Sequence, residues 1–137
     1  ADGAMRMKAG ALVAEFKKEG KLHDLLLQYT HGLFIQVART AVCNRVHPIH
    51  ERFCRWLLMI RDRMQTNDLS LTHEFLASML GARRSDVTIA AGVLQRANLI
   101  RYSQGRLTIL NPRGLEASAC ECYRIGKHEI NKVGLGP

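Results

Sequence analysis

The chain has 137 residues, with 20 basic against 12 acidic side chains and a net charge of +8. Hydrophobic residues make up 47% and charged residues 23%, enough for a globular core that needs no staple, and no apolar run nears the ~20 residues of a membrane span. Four cysteines (Cys43, Cys54, Cys120, Cys122) without a secretory signal predict a cytoplasmic chain with reduced thiols, and the basic surplus is explained equally by an anionic partner or by a solubilising surface.

In chain order, residues 1–4 read as an expression remnant, and residues 9–19 as a short helix stopped by Gly20. A long helix is expected over residues 21–47. Leu22, Leu26, Tyr29, Leu33, Val37, Thr40 and Asn44 recur at spacings of three and four and form one stripe. Leu25, Leu27, Phe34, Ile35, Ala38 and Val42 lie outside it, so the helix must be covered on more than one side. Two arrangements do this: a subunit interface, favoured by the helix's length, or the central helix of a monomeric bundle. Pro48 should end or kink that helix. A further helix then runs to Met64 with Phe53, Trp56, Leu57 and Ile60 inward, followed by a polar turn over residues 65–70.

Residues 73–80 predict a short helix capped by Thr72, and a second helix follows over residues 83–97. Between them, Gly81 can turn left-handed at low steric cost. Ala77 is small where two steeply crossing helices would meet, and Val87 is the branched residue that would pin the second to the first. These offsets predict a helix-turn-helix. Residues 99–103 and 106–110 predict a hairpin about Gln104–Gly105, giving a wing, so the winged motif spans residues 72–110. Asn111 and Pro112 open a final helix to Lys127, and residues 128–137 should fray. The fold class expected is mainly α with a small β-hairpin: a long dimerisation helix followed by a winged helix-turn-helix domain over residues 48–127.

The second helix of the motif begins Arg83-Arg84-Ser85-Asp86, with Thr88 one turn on. Such an end suits double-stranded DNA, because recognition helices meet base edges with their first residues and arginine can pair bidentately with guanine. Asp86 is either a cap or a contact to a cytosine amine. Arg84, Ser85 and Thr88 are the candidates for base contact. Thr72, Arg83 and Arg106 are candidates for phosphate, and Arg101 and Arg106 flank the wing tip, where they could reach the backbone.

The stretches CNRVHPIHERFCRWLL (43–58), LTHEFLASMLGARRSDVT (71–88), VLQRANLIRYSQGRLTILN (93–111) and GLEASACECY (114–123) resemble the cyclic-AMP receptor/fumarate-nitrate regulator (Crp/Fnr) superfamily of bacterial transcription factors. The resemblance implies a homodimer built on the long helix, with Leu22, Leu26, Tyr29, Leu33, Val37 and Thr40 at its interface. It implies a palindromic duplex operator and RNA polymerase as a further partner. Family members carry an N-terminal sensor barrel; residues 1–20 would be its end, and the chain a C-terminal fragment. No cyclic-nucleotide phosphate cassette is found, so no cofactor is expected in this stretch, and any effector would belong to the sensor. Well-known members place Arg-Glu and a later Arg on the recognition helix. Here Arg84 keeps the first, Ser85 replaces the Glu and Ile89 the later Arg, so the preferred DNA sequence should differ.

Two rival readings are a metal- or redox-sensing regulator and a protein-interaction module. Cys43, His47, His50 and Cys54 fall at helical spacing, but Pro48 breaks the helix between them, and four ligands along one helix cannot easily surround an ion. Cys120 and Cys122 could add ligands from elsewhere. These residues are read as buried thiols and hinge histidines, and no metal site is assigned. An enzyme is not expected: no nucleophile–base set, phosphate loop or carboxylate pair stands out, and Asp62 and Asp68 read as surface or turn residues.

Overall fold

The computed structural model describes residues 5–132; the expected remnant at residues 1–4 and the last five residues of the expected tail lie outside them. The chain is mostly helical, with α1 (Ala9–Phe16), α2 (Lys21–Val46), α3 (Ile49–Met64), α4 (His73–Leu80), α5 (Arg84–Arg96), α6 (Pro112–Ala117) and α7 (Cys122–Lys132). Strands β1 (Asp68–Ser70), β2 (Ile100–Ser103) and β3 (Arg106–Ile109) form one antiparallel sheet in the order β1-β3-β2.

Local chemistry explains most boundaries. α1 stops three residues earlier than expected: the Lys18 and Glu19 amides close tighter three-residue turns onto the Glu15 and Phe16 carbonyls, and Glu19, not Gly20, is left-handed (φ 51°). Gly20 is extended and caps α2. The 26 residues of α2 give a rod about 39 Å long. It ends before Pro48 because a residue preceding proline is pushed out of the helical region, and His47 is extended (φ −101°, ψ 146°). Pro48 then caps α3.

Strand β1 was expected to be part of a polar turn. Its Leu69 is buried opposite Leu107 on the free edge of β3, so the wing sheet has three strands. The expected final helix is two helices. α6 opens on the Asn111 cap with Pro112 at its first position, as expected, but stops at Ala117. α7 starts at Cys122 and continues to Lys132, so residues 128–132 are helical where a frayed tail was expected. Asp62 is not a lone surface carboxylate. It accepts a hydrogen bond from the Tyr123 hydroxyl (2.8 Å) and pairs with Lys127 (3.2 Å), which fastens α7 to α3.

The core lies around α3, which packs on α4, α5, α6 and α7. Phe53, Leu57 and Leu58 of α3 meet Leu76, Leu80, Val87, Leu94, Ile100, Leu107 and Leu115, all buried. Each such side chain contributes about 1.5–3 kcal/mol of transfer free energy. Trp56 and Ile60, expected inward, are only partly covered.

Arg52 is buried at the junction of α2, α3 and α4. Its Nη1 donates to the Asn44 backbone carbonyl and side-chain oxygen (3.2 Å each) and to the Leu80 carbonyl (3.0 Å). These carbonyls belong to the last turns of α2 and α4, where helices leave acceptors unpaired and carry the negative end of their dipole. One cation thus caps two helices.

His73 opens α4 and stacks on Tyr102 of β2, with centroids 4.4 Å apart and planes 12° from parallel. Its Nδ1 lies 3.1 Å from the Thr88 hydroxyl. Burial, then the charge of Arg84, hold His73 below its usual 6.5.

Two outcomes follow. Arg52→Met leaves those buried acceptors unpaired and is expected to cost about 1–3 kcal/mol, measured by urea denaturation. For His73, protonation favours the unfolded chain, so stability should fall as pH drops through the unfolded value of about 6.5. His73→Gln should lose less stability than the parent between about pH 7.5 and about pH 5.5; an equal loss would place the effect on other groups.

Candidate nucleic-acid interface

The helix-turn-helix is formed by α4 and α5. The Thr72 hydroxyl accepts from the Phe75 backbone amide (3.1 Å) and caps α4. At the other end Gly81 is left-handed (φ 57°, ψ 44°), and its amide closes back on α4. A side chain there would be strained, because the left-handed region costs an L-residue about 1–2 kcal/mol. A Cβ on Gly81 would also sit 3.4 Å from the Asn44 side chain, so the end of α2 abuts this turn. Ala77 is buried where α4 meets α5, as the offsets predicted.

α5 divides into two faces. Val87, Ala90, Ala91 and Leu94 are buried against the core. Arg84, Ser85, Thr88, Ile89, Val93 and Arg96 are exposed on the other side. The helix starts at Arg84, with Arg83 as an extended cap residue that makes no side-chain cap bond. The first amides of α5 and two guanidinium groups therefore share one exposed end. Asp86 is half-buried in the first turn, where a carboxylate suits the helix dipole. The Ser85 hydroxyl lies 3.5 Å from it. The Thr88 hydroxyl donates to the Arg84 carbonyl (2.9 Å) and meets His73, so within this fold it is already engaged. Sequence reasoning noticed Ile89 only as a replacement; 67% exposed beside Ser85 and Thr88, it is the most exposed apolar side chain of α5.

The wing is a tight hairpin. Gln104 and Gly105 both have positive φ (48° and 77°), as a two-residue turn with the right strand twist requires. Arg106 pairs with Ser103 beside the turn and Arg101 with Thr108 further back. Both arginines are exposed. The Tyr102 hydroxyl donates to the Leu71 carbonyl (2.8 Å) and the Leu71 amide to the Gly105 carbonyl (2.8 Å), tying the wing to the start of α4.

On α2, the anticipated stripe is open over much of its length. Tyr29, Leu33 and Val37 are exposed at 51%, 45% and 60%, while Leu22, Leu26 and Thr40 are half-buried. Leu25, Leu27, Phe34 and Val42, from the other sides, are also exposed.

The cysteines and histidines group differently from their spacing along one helix. Cys54 belongs to the core, where burial pushes its thiol up to about 12, and His50 is exposed. Cys43 and His47 meet Cys120 and Cys122 instead, with all four donor atoms within 4.8 Å of one another. Burial, then the neighbouring Cys43 thiol, pushes Cys120 up to about 12.

Against known proteins, the family described as the Crp-like helix-turn-helix domain matches residues 51–118. No curated protein sequence matches the chain. Among solved structures, a protein described as a transcriptional regulator of the Crp/Fnr family from Eubacterium rectale is similar at 25% identity and a TM-score of 0.58, covering 80% of this chain and 50% of its own. A Crp/Fnr-family transcriptional regulator from Thermus thermophilus is similar at 26% identity and a TM-score of 0.56, covering 69% and 50%. A second Thermus thermophilus regulator, of the CRP family, shares the fold at 22% identity and a TM-score of 0.57, covering 63% and 47%. The chain thus spans about half the length of the structures it matches. With the turn at Gly81, the two-faced α5 and the wing all lying inside the matched residues, the chain belongs through residues 51–118 to the Crp-like helix-turn-helix family.

Proposed function

We propose that this chain is the DNA-binding and dimerisation portion of a transcription regulator that reads a palindromic duplex site as a homodimer. The observation that carries the reading is the start of α5, where Arg83, Arg84 and Ser85 are exposed while Val87, Ala90, Ala91 and Leu94 hold the rod in the core. A helix presented by its leading end fits the major groove, and its free amides and guanidinium groups attract phosphate. Arg84 and Ser85 are assigned to base edges. Ile89, beside them, offers an apolar contact of the kind that reads a thymine methyl. Asp86 supports the helix end or meets a cytosine amine. Arg83, Arg101, Arg106 and Thr72 are assigned to the sugar-phosphate backbone, which fixes register without choosing sequence. Thr88 contributes its methyl group, its hydroxyl being engaged.

The exposed stripe on α2 supports the dimer. Tyr29, Leu33 and Val37 recur every four residues along one face of α2, and no element among the described residues covers them. Paired across a two-fold axis, two copies of α5 would enter successive major grooves about 34 Å apart. Such a chain works with DNA in the cytoplasm and meets RNA polymerase there; no described helix is long and apolar enough to cross a membrane.

Selection of bound duplexes from a random pool should return an inverted repeat, with affinity falling steeply as salt rises. Absence of salt-sensitive duplex binding would favour the protein-interaction reading instead. Arg84→Ala is expected to weaken the selected site by about 1–3 kcal/mol and random DNA by less; equal losses would move Arg84 to the backbone class. Leu33→Glu with Val37→Glu should convert a dimer to a monomer in sedimentation and weaken the full site far more than a half-site. An unchanged sedimentation coefficient would remove α2 from the interface.

A further inference from the structure

We propose that Cys43, His47, Cys120 and Cys122 form a tetrahedral zinc site that clamps the end of α2 to the α6–α7 junction. The donors come from two elements. Cys43 lies in the last turn of α2 and His47 is the extended residue that ends it, while Cys120 and Cys122 bracket the start of α7. Ligands arriving from two directions can surround an ion, which four donors along one helix could not do. Their four donor atoms all lie within 4.8 Å of one another.

The separations suit zinc. Metal–sulfur bonds of about 2.3 Å and metal–nitrogen bonds of about 2.0 Å at tetrahedral angles give sulfur–sulfur edges of about 3.8 Å and sulfur–nitrogen edges of about 3.6 Å. The Cys43 and Cys120 Sγ atoms are 3.5 Å apart, and Cys122 Sγ lies 3.8 Å from His47 Nδ1. The widest pair needs a shift of only about 1 Å to reach such an edge. Three sulfurs and one imidazole in a closed set of four also select a borderline-soft ion over magnesium or calcium.

The surroundings orient the histidine as a ligand. The Glu121 carboxylate lies 3.2 Å from His47 Nε2. With Nε2–H donating to that carboxylate, Nδ1 keeps its lone pair, and Nδ1 is the nitrogen beside Cys122. A carboxylate behind a metal-bound imidazole fixes its tautomer and raises its basicity. The setting is enclosed: Cys43 and Cys120 are buried, and the His47 side chain is only 14% exposed. Filled, the site would lock the last turn of α2 to the helix that Tyr123 and Lys127 fasten to α3.

The test uses the full chain, purified under a non-chelating reductant and stripped of metal. Titration with Co(II) should bring one ion per chain, with the near-ultraviolet sulfur-to-cobalt charge-transfer band and visible bands of a tetrahedral thiolate site, all displaced by Zn(II). Cys122→Ser should weaken the charge-transfer band. Glu121 is 66% exposed at its side chain, so Glu121→Ala should fold normally. It should lower Co(II) affinity about 10–100-fold while leaving the charge-transfer band intact, the signature of a positioning residue. Cys54→Ala should bind as the parent does. Absence of a stoichiometric charge-transfer band, or identical binding by parent and Cys122→Ser, would overturn the site. So would protein that, once the reductant is removed, is oxidised by dissolved oxygen to a Cys43–Cys120 disulfide at the same rate with zinc present as without it.

Discussion

The guanidinium of Arg52 is the point on which the geometry turns. α2 and α4 both end against it, and each presents carbonyls that its own helix cannot satisfy. A cation placed between two negative helix ends needs no carboxylate to balance it, because the partial charges there are fixed by the backbone. The arrangement also sets where the turn at Gly81 lies relative to α2, since the Asn44 side chain meets both Arg52 and that turn. The orientation of the helix-turn-helix unit on the long rod therefore rests on a few polar contacts backed by the apolar packing of α3. The Gly81 turn that α2 abuts leads directly into α5.

The functional character of α5 comes from a division of labour around its circumference. Small and branched residues on the inner face let it approach α3 and α4 closely, and nothing bulky remains to cover the outer one. Its first turn carries the polar groups because the preceding turn leaves the rod's end open. The same economy appears in the wing, where a two-residue turn keeps Arg106 beside the tip.

Much of this was legible in the residues. Pro48 and Gly81 mark boundaries through backbone sterics, which act locally and leave a mark on the sequence. Thr72 and Asn111 cap their helices in the structure as their positions suggested. What could not be read depends on distant partners. The three residues of β1 are too few for an alternating pattern, and only the edge of β3 makes them a strand. The break after Ala117 has no proline or glycine to announce it. Asp62 looked solitary because Tyr123 and Lys127 are about sixty residues away along the chain. The cysteines were the sharpest case: helical spacing grouped His50 and Cys54 with Cys43 and His47, whereas the fold turns α7 back so that Cys120 and Cys122 take their place.

On the proposed reading, the joint between wing and helix pair bears on the thermodynamics of association with a duplex. Ring stacking of His73 on Tyr102, with the tyrosine hydroxyl seated on the Leu71 carbonyl, leaves the hairpin little freedom to swing. A rigid two-pronged reader surrenders less conformational entropy on docking than a loose arm would, so more of its gross contact energy survives as affinity. The corollary is intolerance: a duplex whose groove width or bend does not suit the preset span must deform to fit, and discrimination by the shape of the double helix would arise even at positions no side chain touches.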